Sequence, residues 1–246
     1  LLYIAAWLES RTKVSGFNRK LSSNTDFSNL LAPFIGIIAI IVILLFFQPD
    51  ISTLGIISVC SVLMYFVSKT PLKQSILLFV MGLIGLFSMV KIKPHAFERL
   101  FIFLHPETDP MGAGYHVKQA LITVGSGGIV GSGLGLSMQK FGYLPKPMSD
   151  SIFAVFSEET GFIGALFLVG FFLLFAWRSF AIAKNASETF SQLAAIGISC
   201  WIMIQAFANI GSMIGISPLS GIPLPFLSYG GSALIAELVA VGVLLN

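Results

Sequence analysis

The chain has 246 residues, 56% of them hydrophobic and 10% charged, with a net charge of +3 and a mean hydropathy of +0.92. Ordinary soluble domains carry about 25% charged residues, so a water-exposed globule of this length is excluded, and no basic run points to nucleic acid. Cys60 and Cys200 sit inside apolar runs, with neither metal-ligand spacing nor a disulfide framework, and read as core residues.

The sequence starts in mid-run with LLYIAAWL (1–8), without a methionine or a charged leader, which reads as a partial span and a fragment. Apolar runs follow at 30–47, 51–68, 74–90, 160–177, 189–214 and 228–245. Eighteen helical residues rise about 27 Å, close to the ~30 Å hydrocarbon core of a bilayer. The predicted fold class is an all-α polytopic membrane protein, a single transmembrane domain over 1–246. Arg11, Lys13, Arg19 and Lys20 in 9–29, Lys69 and Lys73, and Arg178 and Lys184 mark one set of links; the opposing links at 48–51 and 215–227 carry no Lys or Arg. The positive-inside rule makes the first set cytoplasmic. Counting spans then puts the long segment 91–150 outside, between the fourth and fifth spans. Within it, HVKQALITV (116–124) reads as a short helix ended by GSGG, and Phe97 to Leu104 has helical apolar spacing. Backbone at membrane depth must be buried or line a wet cavity, so short helices and a re-entrant glycine turn are expected to pack on the bundle.

Three carboxylates stand where this segment enters the fifth span: Asp150, Glu158 and Glu159. Ser149 and Asp150 are capping types just before a long helix, and a lone carboxylate there can also accept a hydroxyl proton. The two roles are compatible. Glu158 and Glu159 lie two turns deeper and point about 100° apart, so they share no proton as a facing dyad would. Internal pairing is expected for Glu159 and for Glu237 in the last span, with Glu158 left open. GSGGIVGSGLG (125–135) reads either as an anion cradle or as a tight membrane-edge turn; it has no GxxxxGK[ST] pattern. Arg99, Lys140 and Lys146 could neutralise phosphate or simply snorkel. His95, His105 and His116 have spacings of 10 and 11 and form no helical metal pair. GIPLPFLSYGGS (221–232) is a proline-broken segment at a membrane edge, a place where sites are often lined.

FLHPETDPMGAGYHVKQALITVGSGGIVGSGLGLSMQKFGYLPKPMSDSIFAVFSEETGFIG (103–164), GIPLPFLSYGGS and the QPD at 48–50 resemble the SEDS family, the FtsW, RodA and SpoVE proteins of bacteria. The resemblance covers essentially the whole chain, and GLGxSxQKxxYLP at 133–145 is more similar to the division (FtsW) branch. It implies a ten-helix bundle, of which about seven helices are present here, with the first three missing together with a QPSExxK-type motif. It also implies a peptidoglycan glycosyltransferase of the bacterial cytoplasmic membrane, acting on its outer side. The substrate would be lipid II, a polyprenyl-pyrophosphate disaccharide-peptide, and the partners a class B penicillin-binding protein and other division proteins. The family's essential aspartate, in a motif of the form LPExHTDFIF, maps onto Asp150 in LPKPMSDSIF. Here Lys146 replaces the usual Glu, Met148 the His, Ser149 the Thr and Ser151 the Phe, and EETG stands where EELG is common. Gln48, Tyr115, Gln119, Ser126, Gln139, Ser228 and Tyr229 are motif positions expected to bind the substrate, beside Arg99 and Lys140.

The mechanism implied is attack of an acceptor hydroxyl on the anomeric carbon of the lipid-pyrophosphate donor. Asp150 would be the general base. The leaving pyrophosphate needs charge stabilisation from cations, or from a divalent ion such as Mg²⁺ or Mn²⁺. A lysine four residues before the carboxylate would weaken it as a base and help hold phosphate. The rival readings are a lipid II flippase and a division scaffold without catalysis. The polar motifs concentrate on one face, whereas a transporter needs a site reachable from both.

Overall fold

A computed structural model describes residues 1–18, 31–48, 50–68, 70, 72–92, 94–109 and 111–246. Arg19, Lys20, Lys69 and Pro49 of the QPD stretch lie outside the described residues. Nine α-helices and no strand occur among those described: α1 (Leu2–Asn18), α2 (Ala32–Phe47), α3 (Ile51–Val67), α4 (Leu72–Ile92), α5 (Pro94–Leu104), α6 (Ala113–Ser126), α7 (Ile152–Asn185), α8 (Thr189–Met213) and α9 (Gly231–Leu245). Each predicted apolar run becomes a helix, because an 18-residue uncharged stretch in lipid can satisfy its backbone only internally. α7 and α8 are each long and apolar enough to cross a membrane. On α7, Phe162, Leu166, Phe167, Phe171 and Leu174 are exposed, a surface suited to acyl chains and costly in water.

The chain clusters into two compact units. The first holds 1–89, 178–201 and 246, the second 90–177 and 202–245. In the first unit, Ile4, Leu8, Phe34, Met64, Tyr65 and Leu193 belong to the core. Asp50 starts α3 by accepting a bond from Thr53 N at 3.0 Å, the expected N-cap chemistry. Tyr65, which is buried, donates its hydroxyl to Gln74 Oε1 at 2.7 Å. Gly197 on α8 lets Met64 approach closely, since a Cβ there would lie 2.7 Å from its sulfur.

The second unit is built around Phe153, Leu168, Phe172, Met203, Ile210, Met213 and Leu224. Phe226 packs edge-on against Phe175 of α7, ring centroids 6.2 Å apart. The long segment carries the expected short helices: α5 covers the Phe97–Leu104 stretch and α6 the HVKQALITV stretch. Asp109 opens α6, its two carboxylate oxygens accepting from Gly112 N at 2.9 Å and Ala113 N at 2.7 Å.

Candidate functional site

Everything at the mouth of α7 depends on a break ten residues into it. Gly161 has φ 69° and ψ −168°, a region essentially reserved for glycine. The break frees backbone groups on both sides, and the glycine turn after α6 supplies their partners. Ser132 N donates to Glu158 O at 2.9 Å and Gly133 N to Glu159 O at 3.0 Å, while Phe162 N donates to Gly128 O at 2.9 Å and Ile163 N to Ile129 O at 3.2 Å. The contact is backbone against backbone: a Cβ on Gly131 would lie 2.3 Å from Glu159 O. Of the two readings left open for the glycine series, this is the tight turn. The N–H groups of Gly131, Ser132 and Gly133 are used inside the protein, so an anion cradle there has no donors from these residues.

The same turn closes over the two glutamates. Glu158 is buried and accepts the Ser137 hydroxyl, and also Met138 N at 3.2 Å. Glu159 accepts Lys140 Nζ at 2.9 Å and Ser137 N at 3.4 Å, and the same Nζ donates to Gly135 O at 2.7 Å. Both carboxylates are therefore paired internally. The expected phosphate cation Lys140 spends two of its donors on holding the loop.

The loop 145–151 delivers Asp150. Ser151 N and Ser149 N both donate to Lys146 O, at 3.3 and 3.2 Å, and Lys146 adopts a left-handed φ of 47°. Three successive carbonyls of this loop are then clamped from α8 and from the proline-broken segment. Tyr229 N donates to Met148 O at 2.8 Å, Ser228 Oγ to Ser149 O at 2.7 Å and Asn209 Nδ2 to Asp150 O at 2.8 Å. Asn209, 1% exposed, also donates to Ile222 O at 2.7 Å, and so ties the two segments to one side chain. The proline-broken segment is itself held in a strained turn: Phe226 has φ 65°, with its N–H donating to the buried Glu237 Oε2 at 2.8 Å. Glu237 thus has the internal partner expected of it.

The helix-cap reading of Asp150 is corrected. Ala154 N and Val155 N both donate to Ser151 O, so Ser151 is the half-in residue and Asp150 lies one position before it. Its carboxylate is free of that duty. It accepts Lys146 Nζ at 3.3 Å, with the carboxylate side chain 14% exposed and the lysine 70% exposed. The result is a carboxylate on a hydrogen-bonded loop, largely shielded from solvent and neighboured by an exposed cation. Such a group can take a proton from a bound hydroxyl while the cation faces an anion.

One further side chain reaches this loop. His116 Nε2 of α6 lies 2.8 Å from Ser151 Oγ, which itself donates to Pro145 O at 2.8 Å. Burial pushes the His116 imidazole below its ordinary value, opposed by the Asp150 charge and reinforced by Lys146.

The family model for FtsW, RodA and SpoVE, described as a cell cycle protein, matches residues 1–246. The chain belongs to this family. Stage V sporulation protein E of Bacillus subtilis is 40% identical over 229 residues, covering 93% of this chain and 63% of that protein. The probable peptidoglycan glycosyltransferase FtsW of Idiomarina loihiensis is 39% identical over 253 residues, covering 100% and 58% respectively. A chain from a peptidoglycan synthase complex that coordinates polymerization and crosslinking superposes with a TM-score of 0.71 at 26% identity, over 99% of this chain and 66% of that one. The chain thus spans less than two thirds of the length of these relatives.

The remaining FtsW/RodA/SpoVE motif positions have varied surroundings. Arg99 on α5 donates to Ser220 O at 3.4 Å, and the Ser126 hydroxyl donates to Thr123 O at 2.8 Å. Ser228 Oγ is engaged twice, receiving Leu224 N at 2.7 Å besides its bond to Ser149 O; it shapes the loop directly. The Tyr229 side chain is exposed, while Tyr115 and Gln119 are half-buried on α6. Gln139 keeps Oε1 buried without a hydrogen-bond partner among the described residues, an acceptor with much to gain from a donor. Gln48 ends α2 in the first unit, exposed to its surroundings. Among the described residues no three His, Cys, Asp or Glu side chains converge to hold a metal ion. Sequence reasoning missed Asn209 and His116 at the Asp150 loop. An asparagine amid the apolar α8 run was a visible signal, and His116 was weighed only as a metal ligand.

Proposed function

We propose that this protein is a peptidoglycan glycosyltransferase that polymerises lipid II at the outer face of the bacterial cytoplasmic membrane, with Asp150 as general base. The observation that carries the reading is the Asp150 carboxylate on its clamped loop: Glu158 and Glu159 are held by residues 137–140, whereas the Asp150 carboxylate meets only the exposed Lys146. Membership of the family and similarity to relatives named as peptidoglycan glycosyltransferases support the substrate class.

In this reading the acceptor hydroxyl lies against Asp150 Oδ and attacks the anomeric carbon as its proton passes to the carboxylate. The C–O bond to pyrophosphate breaks in the same displacement, which inverts the anomeric centre. The leaving group departs already charged, so no strong acid is needed; Lys146, exposed and within reach of the carboxylate, offsets its charge. The proline-broken segment serves as the wall that keeps the base in place. A role in division beside a class B penicillin-binding protein fits the FtsW relatives and the synthase complex that the fold matches.

The test is Asp150→Asn, with purified protein reconstituted in vesicles with lipid II. All three clamping bonds use backbone carbonyls, so the loop persists in the variant. Loss of a general base lowers the rate by about 10²- to 10⁴-fold. Polymerisation at a near-normal rate would remove Asp150 from the mechanism. Movement of lipid II between leaflets without polymer in the wild type would make the protein a transporter instead.

A further inference from the structure

We infer that His116 and Ser151 form a latch between α6 and the Asp150 loop, and that His116 acts through it as a positioning residue for the base; this rests on the proposed function. Ser151 Oγ has one hydrogen. Its 2.8 Å contact to Pro145 O uses that hydrogen, because a carbonyl can only accept. At the 2.8 Å contact with His116 the hydroxyl must then accept, so Nε2 carries the proton. The direction of every bond in the chain His116 → Ser151 → Pro145 is thereby set. The burial that disfavours the imidazolium leaves the neutral Nε2–H tautomer.

The latch holds positions of the loop that the Asn209, Ser228 and Tyr229 clamp does not. That clamp takes the carbonyls of 148, 149 and 150. The latch takes the carbonyl of 145 and the side chain of 151, so the strained Lys146 and the base lie between two fixed ends. It also accounts for a departure that the family resemblance left unexplained. A serine at 151, where the family usually has phenylalanine, is the residue type that can relay His116 to the loop backbone.

The experiment compares His116→Gln, His116→Leu and Ser151→Ala. ¹⁵N-histidine spectra of the wild type read the tautomer, hydrogen exchange reads the order of 145–151, and lipid II polymerisation reads kcat and KM. A protonated Nε2 with an unprotonated Nδ1 is expected. His116→Leu and Ser151→Ala should each speed exchange in 145–151 and lower kcat by about tenfold, with KM changed far less, as displacement of a catalytic group does. The double variant should lose no more than either single one. Glutamine retains an N–H donor, and His116→Gln should recover most of the rate. The Nδ1–H tautomer, or wild-type exchange and kcat in both His116→Leu and Ser151→Ala, would overturn the latch. So would a lowered melting midpoint with unchanged kcat, which marks a purely structural contact. A wild type that forms no polymer overturns the proposed function instead, while the tautomer and exchange readings still judge the contact itself.

Discussion

Replacing Gly161 by alanine should unfasten the glycine turn from α7. Alanine at φ 69°, ψ −168° costs about 1–3 kcal/mol in backbone strain alone. The new Cβ would lie 2.4 Å from Gly131 N and 2.5 Å from Ile129 O, so the turn must move away. Four backbone bonds cross this joint, each worth about 0.5–1.5 kcal/mol net. Losing even half of them brings the total to roughly 2–6 kcal/mol. A loss of about 3 kcal/mol lowers the melting midpoint by roughly 6–12 °C for a chain of this size. Gly170 is the control: it lies in the same helix with nothing within 4 Å of a built Cβ, and Ala there should be neutral or stabilising by about 0.5–1 kcal/mol. The assay is thermal unfolding in detergent, with hydrogen exchange of 127–133 to locate the damage. Equal midpoints for Gly161→Ala and Gly170→Ala, with unchanged exchange in the turn, would refute the interlock.

Lys140→Met separates a structural lysine from a phosphate-binding one. With its Glu159 partner 14% exposed, the variant should lose about 1–3 kcal/mol of stability, and adding Glu159→Gln should restore part of it; a raised KM at unchanged stability would point to phosphate instead. Asn209→Ala removes the two bonds to the Asp150 and Ile222 carbonyls, and about 1–3 kcal/mol of stability together with faster exchange in 145–151 is expected; unchanged exchange would dismiss the clamp. His116, followed by NMR titration, should titrate below 6.5. Between that depressed value and 6.5 the unfolded chain binds more protons, so its contribution to stability is complete above about 6.5 and declines as pH falls. Asp150→Asn should lower the His116 value further and Lys146→Met should raise it, because the first charge favours the imidazolium and the second opposes it.

Local pattern alone determined the spans, the short helices of 91–150 and the family. Each apolar run is its own evidence, since a helix in lipid satisfies its backbone from within the segment; 189–214 became α8 and 51–68 became α3 almost residue for residue. The stretches around Asp150 were legible because their residue order is itself a motif. Only the tertiary structure decided what those residues do. The sequence showed an aspartate of capping type, but Ser151 starts the helix and leaves the carboxylate free. It showed a glycine series that suited an anion, but those N–H groups close a break in α7 that no proline marks. Ser228 reaches Ser149 across 79 positions, Asn209 reaches Asp150 across 59, and His116 reaches Ser151 across 35. A hydrogen bond depends on where two groups meet in space, and no spacing along the chain encodes separations of that length.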